Sequence, residues 1–533
     1  MQRFSVIQAA MITGSATLLS RLLGFLRDVM IAAALGAGPL ADIFVVAFRL
    51  PNLFRRLFAE GAFSAAFVPL FAQKLENDAA AGNTQTARQM GAEVFAALFF
   101  ALLVFTALAE LAMPYFVYGL AGGFAADADK FARTVTFSRI TFLYLICMSL
   151  MALFAAMLNA KGRFAAAGFA PVLLNIILIG ALLLAALFEL TPLPVLIWGV
   201  AVAGFAQLIM VWVAAHKAGL YVPLSLIFRR PRFTPNVRRV LVLGVPGVLA
   251  AGVGQINLLI GTNIASAQES AAAWLYYADR LYQLPLGVIG IALSVALLPD
   301  LARRLRANDK AGARASLNRG LEVGLLLTLP AAFGLYLLAE PICAVLFQRG
   351  AFTPADTQMT ALALMGFSFG LPSFVLIKIL QPSFFAREDT RTPFIYGAVG
   401  VAANITLSLL YFPQFGHVAI AVATSIAGWL TAGLLFMHAW VSRAHAACRP
   451  GDRQFMRSLI AIMAGCVGLA GVLLWQPFAP PPLVSPHGSV ALALWLGGQI
   501  IFGACVFFAL NYLAGGIKPA SLMQFFRKDE KNM

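Results

Sequence analysis

Apolar runs of eighteen or more residues recur from one end of this chain to the other, and no other feature constrains its fold as strongly. In the hydrocarbon core of a bilayer about 20 apolar residues make one crossing, and a helix is the open-ended structure that satisfies all of its own backbone groups there. Composition agrees: of 533 residues, 61% are hydrophobic and 11% charged, with a mean hydropathy of +0.86. A β-barrel is excluded, because its signal is short alternating segments. Fourteen spans are expected, near residues 6–35, 40–72, 91–118, 134–160, 165–188, 193–215, 238–266, 271–302, 316–346, 357–385, 393–412, 417–441, 455–475 and 490–514. The first carries charges and lacks a small-residue cleavage site, so it reads as a span and not as a signal peptide. The fold class is an all-α polytopic membrane protein with fourteen transmembrane helices.

A net charge of +16 invites a nucleic-acid reading, but its distribution argues against one. The N-terminus, the C-terminal tail and the alternate loops between them, with the span ends that border them, hold 27 of the 38 Lys and Arg residues. The opposite loops hold three, Lys130, Arg133 and Arg349. Cationic loops stay on the cytoplasmic side, so both termini are expected there. The partners are then the membrane itself and its anionic headgroups, with no nucleic acid. The five cysteines (Cys147, Cys343, Cys448, Cys466 and Cys505) and the five histidines are scattered, with no ligand spacing. No metal, cofactor or disulfide framework is expected.

The chain echoes itself. Arg49-Leu50, Pro69 and Lys74-Leu75 recur as Arg280-Leu281, Pro299 and Arg304-Leu305, at offsets of 231, 230 and 230. The short basic connection Asn159 to Phe164 has a counterpart in Phe385 to Thr390. Six spans per copy preserve orientation, so the repeat is parallel, about an axis along the membrane normal. The expected division is a six-helix bundle over 1–222, a basic interfacial linker over 223–237 with Pro223, Pro231 and Pro235, a second bundle over 238–445, and two added helices with the tail over 446–533. Two such bundles place a substrate site between them near the midplane.

That site is expected to be a central cationic cavity. An Arg or Asp at the centre of a span costs roughly 2.5–3.5 kcal/mol on insertion scales, and is kept where it meets water, a partner or a ligand. The first span holds Ser20, Arg21, Gly24, Arg27 and Asp28; Arg21, Gly24 and Asp28 share one face, and Arg27 lies about 120° round with Ser20. In the second span Arg49, Asn52, Arg56 and Glu60 form one polar stripe with Arg55 beside it, Pro51 kinks the helix, and Asp42 lies near the outer end. Asp279 and Arg280 follow the aromatic run Trp274, Tyr276 and Tyr277. By the repeat offset, Arg55, Arg56 and Glu60 map to Leu286, Gly287 and Ile291, so charge concentrates in the first half and the anion site is asymmetric. Arginine suits a phosphate or diphosphate, with a bidentate planar fork that stays charged. Asp28, Asp42, Glu60 and Asp279 would balance the empty site; the other reading is a set of internal salt bridges, strongest for Arg56 with Glu60. A membrane enzyme would need paired carboxylates beside a sizeable outer loop. The outer loops are short, so a transporter is expected, with no catalytic residue.

Several segments resemble the MurJ (MviN) family of the multidrug/oligosaccharidyl-lipid/polysaccharide flippase superfamily. They are Ser20 to Asp28, Leu50 to Ser64, Tyr276 to Leu281, Phe347 to Thr353 and Ala386 to Pro393, and the likeness spans all fourteen predicted helices. The resemblance implies a flippase in the bacterial cytoplasmic (inner) membrane. Its substrate would be lipid II, the undecaprenyl-diphosphate-linked disaccharide-pentapeptide, carried outward by alternating access. It implies roles for Arg21, Arg27, Asp42, Arg55 and Arg280, supported by Ser20, Asn52, Glu60 and Asp279, and a lipid-tail groove at the last two spans. Gln283 stands where some relatives carry an acid, and the eleventh span has Asn404 but no carboxylate, so no cation site is carried over and any coupled ion stays unassigned. The membrane potential is an expected driving force, and a monomer is the expected state. From the residues alone, another lipid-linked oligosaccharide remains an alternative; a cationic drug, also carried in this superfamily, would prefer an acidic cavity.

Overall fold

The structure, a computed structural model, describes residues 6–58, 62–81, 85–222, 233–442, 450–475 and 488–516. The described residues are helical throughout, with no strand among them. Eleven of their helices are long and apolar enough to cross a membrane. These match the third to sixth and eighth to fourteenth expected spans, and further helices occupy the other three stretches. Most of the 223–237 linker, Glu60, Cys448, the Pro-rich loop after Trp475 and the C-terminal tail lie outside the described residues.

The chain forms two compact units. The first comprises residues 1–273 with Arg349–Phe352, and the second comprises 274–348 with 353–533. In the first unit the helices are α1 (Val6–Leu35), α2 (Pro39–Phe58), α3 (Ala62–Ala80), α4 (Gln85–Leu111), α5 (Met113–Ala121), α6 (Ala128–Ala160), α7 (Ala165–Leu187), α8 (Pro192–Lys217) and α9 (Pro235–Ala265). The third expected span is therefore interrupted, as α4 stops and α5 restarts at Ala112, with Pro114 in its first turn. Proline lacks the N–H that the Glu110 carbonyl would accept and its ring crowds that carbonyl. Arg139 of α6 donates to this carbonyl instead, at 3.3 Å.

The same remedy serves α2. Pro51 removes the donor for the Ala47 carbonyl, and the Thr141 hydroxyl of α6 donates to it at 2.7 Å. Thr141 is fully buried, so no water could replace it. Lipid offers no hydrophobic drive for helix association, so close packing and hydrogen bonds such as these hold the unit together. Gly204 of α8 lies flush against Tyr144 and Cys147 of α6. The Gln207 side chain donates to the Ala170 carbonyl of α7 at 2.6 Å.

The repeat reading assigns α9 to the second half, yet α9 packs in the first unit, against α2, α3, α4 and α5. Polar contacts hold both of its ends. Glu93 of α4 accepts from Thr234 and Asn236, each at 2.8 Å. At the other end Asn263 donates to the Tyr118 and Gly119 carbonyls at 3.1 and 3.0 Å. The division by duplication at residue 238 and the division by packing after Ala273 therefore differ by this one helix.

The second unit holds most of α10 (Ala271–Pro285), whose first turn is counted in the first unit, then a π turn over Leu286–Gly290 and α11 (Ile291–Arg306). It continues with α12 (Lys310–Leu337), α13 (Ala339–Phe347), α14 (Pro354–Phe385), α15 (Arg391–Phe415), α16 (His417–Val441), α17 (Arg453–Trp475) and α18 (Gly488–Leu513). The ninth expected span breaks as the third does, at Leu338 before Pro341. Helices α14 and α16 approach through small residues: a Cβ on Gly370 would lie 2.5 Å from Ser425 Oγ, and one on Gly428 would lie 2.5 Å from Ser373 Oγ.

Candidate functional site

Helices α1 and α2 together carry five arginines against two aspartates. Where each carboxylate goes decides what the arginines can do.

Asp28 goes to its neighbour. Arg27 Nε and Nη2 both lie on Asp28 Oδ1, at 3.0 and 2.7 Å, and both residues are buried. Helical geometry sets adjacent residues about 100° apart, but the arginine arm is long enough to curl back. The remaining fork of Arg27 reaches Asn175 of α7, with Nη1 donating to Oδ1 at 2.9 Å. Asn175 in turn donates to the Ser20 carbonyl at 2.9 Å. A Cβ on Gly24 would sit 3.4 Å from the Asn175 amide nitrogen, so the glycine makes room for that side chain. Ser20, Gly24, Arg27, Asp28 and Asn175 thus form one buried network. Arg27 is thus held in an internal salt bridge here, the alternative to an open anion site.

Arg21, one turn and a half before Arg27, is half-buried and makes no hydrogen bond or ion pair among the described residues.

Asp42 goes elsewhere altogether. It is fully buried in the first turn of α2. Its Oδ2 accepts from Lys130 Nζ at 2.7 Å and from the Ser270 amide at 2.9 Å, while Oδ1 accepts from the Ala273 amide at 2.9 Å. The carboxylate therefore caps the start of α10 from outside, accepting from Ser270 just before the helix and sharing the Ala273 amide with the Ser270 carbonyl at 3.1 Å. Ser270 has φ +66°, a left-handed conformation that costs a non-glycine residue roughly 1 kcal/mol. Asp42 is thus matched by a cation of α6, and none of the α1–α2 arginines holds it.

Two of the α2 arginines donate to neutral side chains. Arg49 Nη1 donates to Thr262 Oγ1 of α9 at 2.8 Å. Arg55 Nε donates to Asn52 Oδ1 at 3.1 Å, and Asn52 Nδ2 donates to the Phe48 carbonyl at 2.7 Å, one turn back beside the Pro51 break. Arg56 is exposed. Its expected partner Glu60 lies outside the described residues.

In the second unit Arg280 lies over the Tyr276 ring, 4.6 Å from its centre, a cation–π contact that leaves the charge intact. Asp279, adjacent in sequence, accepts from the Gln283 side chain and the Tyr282 hydroxyl. The residue noted for lacking an acid is therefore a donor to the acid beside Arg280. Asn404 of α15 accepts weakly from Ser408 and Thr424, at 3.4 and 3.3 Å.

Lys130, Asn175, Thr141 and Thr262 were not among the expected site residues. A lone amide inside the apolar stretch Val172 to Gly180 was a readable signal for Asn175. Lys130 read as a loop charge.

The family model described as "Lipid II flippase MurJ" matches residues 31–480. Over 517 residues the chain is 48% identical to a protein of Rhizobium meliloti (strain 1021) named probable lipid II flippase MurJ, covering 96% of this chain and 94% of that one. It is 35% identical over 473 residues to the protein of Burkholderia cenocepacia named lipid II flippase MurJ, covering 88% and 90%. Among solved structures it resembles one described as lipid II flippase MurJ in an inward closed conformation, with a TM-score of 0.77 at 24% identity over 94% and 98% of the two chains. It also resembles an inward-facing multidrug resistance MATE family transporter of the MOP superfamily, with a TM-score of 0.61 at 13% identity over 80% and 96%. At these identities the two structures speak to the fold alone.

Proposed function

The chain belongs to the lipid II flippase MurJ family, and from that premise we propose that it carries lipid II from the cytoplasmic to the outer leaflet of a bacterial inner membrane by holding the diphosphate on arginines. The observation that carries this reading is the excess of guanidinium groups on α1 and α2, with Asp28 turned to Arg27, Asp42 turned to Lys130, and Arg21 open. Arg21 makes the first contact with the diphosphate, and Arg55 and Arg280, which touch Asn52 and the Tyr276 ring here, turn to the phosphate oxygens. Ser20 and Asn52 set the backbone and fork positions around them. Arg27 joins when its bond to Asp28 opens.

The chain alternates between a form in which these arginines face the cytoplasm and one in which they face outward. No bond is made or broken, so the protein supplies binding and passage without chemistry. A potential negative inside favours outward movement of the anionic headgroup, at about 2.3 kcal/mol per charge per 100 mV. We read fourteen spans with both termini cytoplasmic, six per half and two added. Support for the duplication comes from the nine-residue helices α5 and α13, each set off from the long helix before it at a proline break. Each copy of the chain carries both halves, so a monomer is the working unit.

The test is reconstitution in vesicles with labelled lipid II, with and without an imposed potential. Wild-type protein moves the label across; R21A, R55A and R280A, each at matched protein level, do not. Normal flux in all three removes the anion-site reading, and an intrinsic polymer product removes the transport reading.

A further inference from the structure

We infer that Lys130 is a positioning residue of the transport cycle, holding Asp42 ionised and aimed so that it caps α10, the helix that carries Asp279 and Arg280.

The argument starts from the cost of a buried carboxylate. Asp42 is 0% exposed, and an ionised carboxylate with no water around it persists only where charge and hydrogen bonds replace hydration. Two backbone amides supply bonds but no full charge. Among the described residues the one full positive charge in contact with it is the Lys130 ammonium, itself only 8% exposed. The ammonium is fixed from two further sides. Its Nζ stands 4.1 Å from the centre of the Phe124 ring. Its own backbone amide is held by the Asp127 side chain at 3.0 Å, in the cap that begins α6. Lysine, a compact point charge with three donors, can thus sit at the end of Asp42 without displacing either amide.

The consequence runs along α10. Its first turn begins at a left-handed Ser270, and both capping bonds come from Asp42. Weaken the carboxylate and that turn loses its anchor; Arg280 lies nine residues after Ala271 on the same helix. Lys130 is in contact with Asp42 and the Phe124 ring, and with no arginine among the described residues. It acts through Asp42.

The transport part of the test rests on the lipid II reading, and the exchange part does not. The variants are K130M, K130R and the double variant D42N/K130M beside D42N, in vesicles with labelled lipid II. Hydrogen exchange at the Ser270 and Ala273 amides is read on the same proteins. K130M is expected to lose about tenfold or more of the flux and to exchange those two amides about tenfold faster, while K130R keeps flux within about threefold of wild type. D42N/K130M, which leaves no buried charge without its counter-charge, is expected to be no slower than D42N. Wild-type flux in K130M overturns the inference. So does lost flux with unchanged exchange at both amides, failure of K130R to rescue, or a further loss in D42N/K130M beyond D42N. If K130M does not fold, the K130R and double-variant comparisons still decide it. Should wild-type protein move no lipid II, the functional reading falls while the exchange result still tests the Lys130–Asp42–α10 linkage.

Discussion

The Thr141 hydroxyl is present because Pro51 is, and that dependence can be measured. Thr141→Val keeps shape and volume but removes the 2.7 Å bond to the Ala47 carbonyl, which the proline has left without its helical donor. A buried acceptor stripped of its partner costs about 1–3 kcal/mol in water-soluble proteins. Hydrogen bonds between membrane helices average about 0.6 kcal/mol and reach about 1.7. The membrane range is usually low because the unfolded segment finds other partners; here the carbonyl is completely enclosed, so the upper part applies and we expect about 1–2 kcal/mol. Pro51→Ala restores an N–H one turn below the same carbonyl. In that background Thr141→Val should cost no more than about 0.5 kcal/mol, leaving a coupling of about 1 kcal/mol. Unfolding free energies of the four proteins, read by steric trapping in bicelles, give the coupling directly. Equal cost of Thr141→Val in both backgrounds refutes the reasoning.

Further outcomes follow from other contacts. Asp28→Asn removes the charge that holds Arg27, so labelled lipid II should bind more tightly while flux falls; an unchanged Kd counts against Arg27 as a ligand. Gly350→Ala places a Cβ 2.2 Å from the Ala33 carbonyl at φ +58°, and should break the 2.8 Å bond from the Ala351 amide to that carbonyl and lower the unfolding temperature. Gly162→Ala, at φ +74° with open space around it, supplies the control, and an equal loss in both would reduce the effect to backbone strain alone. Bonds from the Ala87 amide and the Thr86 hydroxyl hold the Asp78 carboxyl below its usual range. A depressed pKa means stability present above the ordinary carboxylate range and lost as pH falls through the folded value. Protection of the Ala87 amide, taken relative to its intrinsic exchange rate at each pH, should therefore fall on acidification, and Asp78→Asn should abolish that dependence.

What could be read from sequence was what depends on one segment at a time. Hydropathy located the apolar helices, and the arginines of α1 and α2 stood out against it. The interruptions at Ala112 and Leu338 fall where Pro114 and Pro341 remove a helical donor, but α2 and α14 run on through Pro51 and Pro372, so a proline alone does not mark a break. Partnership was not legible. Asp28 was assigned to the face of Arg21, whereas its carboxylate is taken by Arg27, whose arm bends along its own helix. Lys130 was counted as an outer-loop charge, because only folding brings it to a residue 88 positions earlier in the chain. Thr141 and Arg139 looked like unremarkable polar residues, and their value depends on proline breaks in other helices. The packing of α9 among the first helices was hidden for the same reason, since an echo between segments of sequence does not say which helices become neighbours.

That placement of α9 bears on how the protein is made. A chain halted after residue 222 has made α1 to α8, yet Glu93 still lacks Thr234 and Asn236, and the Tyr118 and Gly119 carbonyls still lack Asn263. The nascent first unit must wait in the bilayer, with polar groups unfilled, until the ribosome has delivered α9.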